Sequence, residues 1–125
     1  FNVKVGDVFF NASSLSGGNL QKFIVGREIE QKPSVLIAVQ PTWGVDAGSA
    51  VAIHKEILSL AEKGTAVLII SQDLDELFSI ADKIAVISEG RISRSIGAVD
   101  ASVEEIGLLM GGGDREKSFK EELIL

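Results

Sequence analysis

Cysteine and tyrosine are absent from this 125-residue chain, and histidine, methionine and tryptophan occur once each. No disulfide and no cysteine-ligated metal site can form, and His54 alone leaves too little for a histidine-based one. Basic residues are outnumbered, 12 Lys and Arg against 18 Asp and Glu, for a net charge of −6. That balance argues against a nucleic-acid partner and against adhesion to an anionic lipid surface. No apolar run approaches the roughly 20 residues that span a bilayer, and the opening residues do not read as a signal peptide. Against these absences, 46% of the residues are hydrophobic, enough for a buried core, and the length fits one domain or part of one. The chain begins at Phe1 rather than methionine, so an excised piece of a longer protein is expected.

Residues 1–14 show no clear period and read as irregular structure with room for a short helix or turn. Ser16 is a good N-cap, and Leu20, Phe23 and Ile24, continued by Arg27 and Ile29, follow at helical spacing. Pro33 ends that helix by biasing Lys32 out of the helical region. "VLIAV" (35–39) and "TAVLIIS" (65–71) are continuous apolar runs, the pattern of strands covered on both faces in a parallel sheet. Between them, turn chemistry at 40–49 leads to a helix from near Ala47 to Lys63, stopped by Gly64. "QDLDELFSIA" predicts a short helix with Asp73 and Glu76 at capping-box spacing. "KIAVIS" (83–88) predicts a third strand, Glu89-Gly90 a tight turn, and "RISRSIG" an antiparallel edge strand. Ser102 and Glu105 form another capping box ahead of "IGLLM", and "GGGD" (111–114) leads to a tail helix in "REKSFKEELIL". The alternation predicts an α/β fold with a mostly parallel sheet and flanking helices.

In "LSGGNLQKF" (15–23) two glycines follow a serine at a helix start. Such a start exposes backbone N–H groups at the positive end of a helix dipole, which attracts phosphate. Yet no GxxxxGK[ST] loop, the usual companion, occurs in the chain. The residues hold half of a nucleotide site.

"LSGGNLQK", then "PSVLIAVQPTWGVD", "VLIISQDLDE" and "DKIAVISEGRI" resemble, in order and spacing, the second half of an ABC-transporter ATPase domain. LSGGN resembles the signature motif, VLIAVQP the Walker B strand, GVD the D-loop and SQD the switch region. The forms "SGGNLQK", "QPTWGVD" and "IGLLM" resemble the C-terminal ATPase domain of tandem proteins that power uptake of ribose-like sugars or nucleosides. The resemblance covers residues 1–111: 1–32 as the signature-helix region, 33–111 as part of the α/β core, with 112–125 a linker and tail helix. It implies a partial P-loop NTPase-like fold whose phosphate-loop strand, normally between the strands resembling 65–71 and 83–88, is missing. Ser16, Gly17, Gly18 and Asn19 are then implied to close on the γ-phosphate of ATP, with Mg²⁺, held by a second ABC ATPase domain. A membrane permease as further partner and a location at the cytoplasmic face of the membrane follow from the same resemblance.

The chain departs from the family where chemistry is needed. The aspartate that organises Mg²⁺ is replaced by Val39, the glutamate that polarises water by Gln40, and the switch histidine by Gln72. Valine offers no ligand, and loss of a general base commonly lowers rates by ~10²–10⁴. The chain's own site is therefore expected to be degenerate and the isolated chain inactive. Asp46, at the D-loop position, is read both as an interface residue and as the N-cap of the next helix. Trp43 either anchors an interface or packs on its own domain, Asn19 and Gln21 are read as hydrogen-bonding residues, and His54 has no assigned role. With a strand missing, self-association of the chain is expected. Alternatives are a non-catalytic nucleotide-sensing or docking domain of the same fold, and an unrelated doubly wound domain.

Overall fold

The computed structural model describes residues 2–4, 6, 7, 9, 11 and 15–112. In chain order they form α1 (Gly17–Glu30), β1 (Val35–Val39), α2 (Ala47–Glu62), β2 (Ala66–Ile70), α3 (Leu74–Ile80), then four short strands, β3 (Lys83–Ile84), β4 (Ile87–Ser88), β5 (Arg91–Ile92) and β6 (Ile96–Gly97), and α4 (Val103–Met110). The chain divides after Gln72 into two compact units. The tail helix predicted beyond residue 112 lies outside the described residues, and the described part of 1–14 contains no helix.

All four helices among the described residues start where a side-chain oxygen can receive the N–H three residues on. Ser16, Asp46, Asp73 and Ser102 each do so, satisfying one of the donors a helix start leaves unpaired. Helix α2 ends where Gly64 turns left-handed at φ +101°, a conformation glycine adopts without strain.

In the first unit, β1 and β2 pair in parallel with Val35 opposite Ala66 and Val39 opposite Ile70. Leu36 packs with Ile29, Ile53, Ile57 and Leu60 into one core, joined by Val25, Val45, Val67 and Ile69. Helices thus cover one face of the pair. The expectation that both faces are covered fails among the described residues: Val35, Ile37, Val39 and Leu68 are more than half exposed. Because side chains alternate along a strand, helices on one side can bury only every second residue of an all-apolar run. On α1 the inward residues are Gly26 and Ile29. Phe23 and Ile24 remain 42% and 39% exposed.

The second unit encloses Ile84, Val86, Ile96, Ile106 and Leu109, with Leu74, Leu77 and Phe78 against them. Residues 83–88, expected as one strand, split into β3 and β4, which pair antiparallel with β6 and β5 respectively. The cause is Ser93. Its buried hydroxyl accepts the Val86 N–H at 2.9 Å and donates to the Arg94 carbonyl, while its own N–H donates to Val86 O at 2.8 Å. A side-chain oxygen here takes the place of a ladder carbonyl. Glu89 and Gly90, both at positive φ, make the predicted tight turn between β4 and β5.

Candidate functional site

The carboxyl ends of parallel strands are where open α/β sheets place ligands. Two turns of this chain lie there together. The first is the start of α1. Ser16 is extended (φ −61°, ψ 159°), and its Oγ accepts from the Asn19 N–H at 3.4 Å and from Asn19 Nδ2 at 2.9 Å. Asn19 Oδ1 in turn accepts the Lys4 N–H at 2.8 Å. The helix's first backbone bond runs from Leu20 N–H to Ser16 O, so Gly17 and Gly18 present N–H groups with no intrahelical acceptor. Ser16 and Gly17 are exposed.

Nothing among the described residues requires these two glycines. A Cβ on Gly17 would meet nothing within 4 Å, and one on Gly18 would make ordinary contacts of 3.9 Å with Val45 Cα and 4.0 Å with Gly44 O. Alanine is the better helix former, so Gly17→Ala should stabilise the chain by about 0.5–1 kcal/mol, measurable by urea unfolding. A loss of stability would show that the helix start needs glycine for its own sake.

The second turn follows β1. The Gln40 N–H donates to Ile70 O at 2.8 Å, carrying the ladder one residue further. Gln40 then turns left-handed at φ +50°, uncommon for a residue with a side chain. Its Oε1 accepts from Ser71 Oγ at 3.3 Å. Trp43 N–H donates to Gln40 O and Val45 N–H to Thr42 O, and the segment ends at Asp46. Both carboxylate oxygens of Asp46 are engaged by Ser49, through its N–H at 2.9 Å and its hydroxyl at 2.6 Å. These bonds, with a small contribution from Lys22, hold the Asp46 carboxyl below its ordinary range. The capping role read from the sequence is present. Trp43 is 77% exposed in this turn.

Val39, at the end of β1, is exposed, and Gln72 is exposed just past β2. Ser71 as the partner of Gln40 had no sequence signal, since a serine beside a strand end is ordinary. Gln21 bridges the two turns: its Nε2 donates to Pro41 O at 2.7 Å and to Gln40 O at 3.4 Å. A cavity of about 670 Å³ opens at the opposite end of β1 and β2, between Ile29, Lys32, Ser59 and Lys63. None of the sequence-predicted site residues lines it. Among the described residues no cluster of His, Asp or Glu is arranged to hold a metal ion.

No protein-family model matches the chain. It is 42% identical over 120 residues to the guanosine import ATP-binding protein NupO of Bacillus subtilis, covering 96% of this chain and 24% of that protein. It is 44% identical over 114 residues to the nucleoside import ATP-binding protein NupA of Lactococcus lactis, covering 91% of this chain and 22% of that protein. A crystal structure of the ADP conformation of MJ1267, an ATP-binding cassette of an ABC transporter, superposes with a TM-score of 0.59 at 27% identity, over 85% of this chain and 40% of that one. The chain belongs to the ATP-binding cassettes of ABC transporters. It spans about a quarter of the length of the curated relatives it matches. The fold expected from the motifs is that of these cassettes, and the reading as an unrelated doubly wound domain falls. A nucleotide-free ATP-binding cassette from an ABC transporter gives a TM-score of 0.62 at 28% identity, again over 85% of this chain. Within the cassette, the residues resembling the signature stand beside those resembling the D-loop. No helix among the described residues is long and apolar enough to cross a membrane.

Proposed function

We propose that this chain is the signature-bearing part of the second ATP-binding domain of an importer for sugars or nucleosides. Its Ser16, Gly17, Gly18 and Asn19 complete an ATP site on a facing ATPase domain. The observation that supports this most directly is the open space outside Gly17, beside two N–H groups with no intrahelical acceptor. Two glycines weaken a helix start that no contact among the described residues requires. They leave the backbone bare for an incoming phosphate, whose negative charge the helix dipole favours. The Ser16 hydroxyl adds a donor at the same point.

The chain's own site does not fit Mg²⁺ or hydrolysis. Val39 offers no oxygen, and the Gln40 carboxamide cannot accept a proton from water, its Oε1 already taking a bond from Ser71. The metal and general base of the working site then belong to the facing domain, and this site holds nucleotide without turning it over. Asp46, besides capping α2, faces that domain from the turn. The permease is the second partner, and the assembly sits at the cytoplasmic face of the membrane.

Hydrogen bonds to charged groups contribute ~1.5–3 kcal/mol each, so two or three signature contacts give at most ~9 kcal/mol. Association costs roughly 4–15 kcal/mol. The isolated chain should therefore show no saturable shift of the Gly17 and Gly18 amides below millimolar Mg-ATP, read by NMR. The shifts should become saturable once the facing domain is added. Tight binding by the chain alone would mean it builds a phosphate pocket of its own, and the half-site reading falls.

A further inference from the structure

The start of α1 and the turn after β1 are separated by about 20 residues of sequence, yet a single side chain joins them. Gln21 lies in the first turns of α1 and is half-buried. Its Nε2 donates to Pro41 O at 2.7 Å and to Gln40 O at 3.4 Å. Both acceptors are carbonyls, so only the amide nitrogen can serve them. Pro41 is fully buried. Gln40 is held left-handed, a strained state that persists where its surroundings over-determine it. The two segments also come close at Gly18, where an added Cβ would lie within 4 Å of the backbone of Gly44 and Val45, next to Asp46.

We propose that Gln21 is a positioning residue that makes the Ser16–Gly18 end of α1 and the 40–46 turn one rigid surface. Through it, the residues presented to the facing domain's phosphate and Asp46 keep a fixed spacing. The same carboxamide also seats the backbone of Gln40, so the chain's own degenerate site and its signature end share one clamp. The effect on turnover rests on the function proposed above; the effect on the turn does not.

The test compares Gln21→Glu and Gln21→Met with the parent in the full-length ATP-binding protein. Glutamate keeps the shape but sets an acceptor oxygen against the Pro41 carbonyl; methionine keeps the volume and removes the donor. Amide hydrogen exchange in the absence of nucleotide should accelerate by roughly tenfold at Trp43 and Val45 in both variants. The amides of Ile57 and Leu60 in α2 should exchange at the parent rate, which separates a local opening from general destabilisation. In ATP hydrolysis kcat should fall with KM unchanged, because the clamp orients the signature rather than binding nucleotide. Parent-rate exchange at Trp43 and Val45 in either variant overturns the clamp. So does faster exchange with undiminished kcat, provided Ser16→Arg is inactive in the same assay. If Ser16→Arg is fully active, the proposed function has failed, and the exchange rates still decide the clamp.

Discussion

Ser16→Arg in the full-length ATP-binding protein will lower ATP turnover by about two to three orders of magnitude. Ser16 is exposed at the very start of α1, and the space beside Gly17 is open. An arginine there removes the hydroxyl and fills the approach to the two free N–H groups with a long side chain. The structural loss is confined to one cap, the bonds from Asn19 to Ser16 Oγ, and loss of a cap costs about 0.5–2 kcal/mol. That is too little to unfold a cassette whose core residues Ile53 and Ile57 lie on a different helix, α2. Urea unfolding alongside steady-state hydrolysis separates the two effects. Ser16→Thr, which keeps the hydroxyl and a competent cap, should retain most of the turnover. Full turnover in Ser16→Arg would show that this helix start never meets a reacting phosphate.

The second large effect is a gain. In a protein already silenced by Ser16→Arg, the pair Val39→Asp and Gln40→Glu should raise hydrolysis above background by about 10²–10⁴. The geometry is suited to it. Gln40→Glu changes no shape, its backbone bond to Ile70 O is untouched, and the Ser71 hydroxyl that donates to Gln40 Oε1 would donate equally to a carboxylate. Val39 is 62% exposed at the end of β1, so an aspartate there loses little burial. Gln40→Glu alone should give far less, because position 39 still lacks a metal ligand. The readout is single-turnover hydrolysis with and without Mg²⁺. No gain from the double change would show that something other than these two residues silences the site.

Much of this was legible from residue order, for a reason that differs from element to element. The tight turn at Glu89-Gly90 was legible because its backbone demands positive φ. The strand at 83–88 was not. Its apolar run is continuous, but Ser93, between β5 and β6, interrupts the pairing with its hydroxyl, and no local pattern announces that. The candidate site divides in the same way. The caps Ser16 and Asp46 were legible because a cap uses neighbours within four residues; the nucleotide and interface roles proposed for Ser16–Asn19 and Asp46 rest on the resemblance instead. Gln21 was read only as a hydrogen-bonding residue, because its acceptors lie 19 and 20 positions away.

The sequence by itself determined where the four helices among the described residues begin and where α2 stops. Those depend on one residue's chemistry or on a side chain meeting a backbone N–H three residues on. Only the tertiary structure decided which face of the β1–β2 pair the helices cover, how Ser93 divides a strand, and that Gln21 ties the start of α1 to the turn after β1. Each of these is a contact between segments distant along the chain, made when packing buries Ile29, Leu36, Ile53 and Ile57 together or closes β3 against β6.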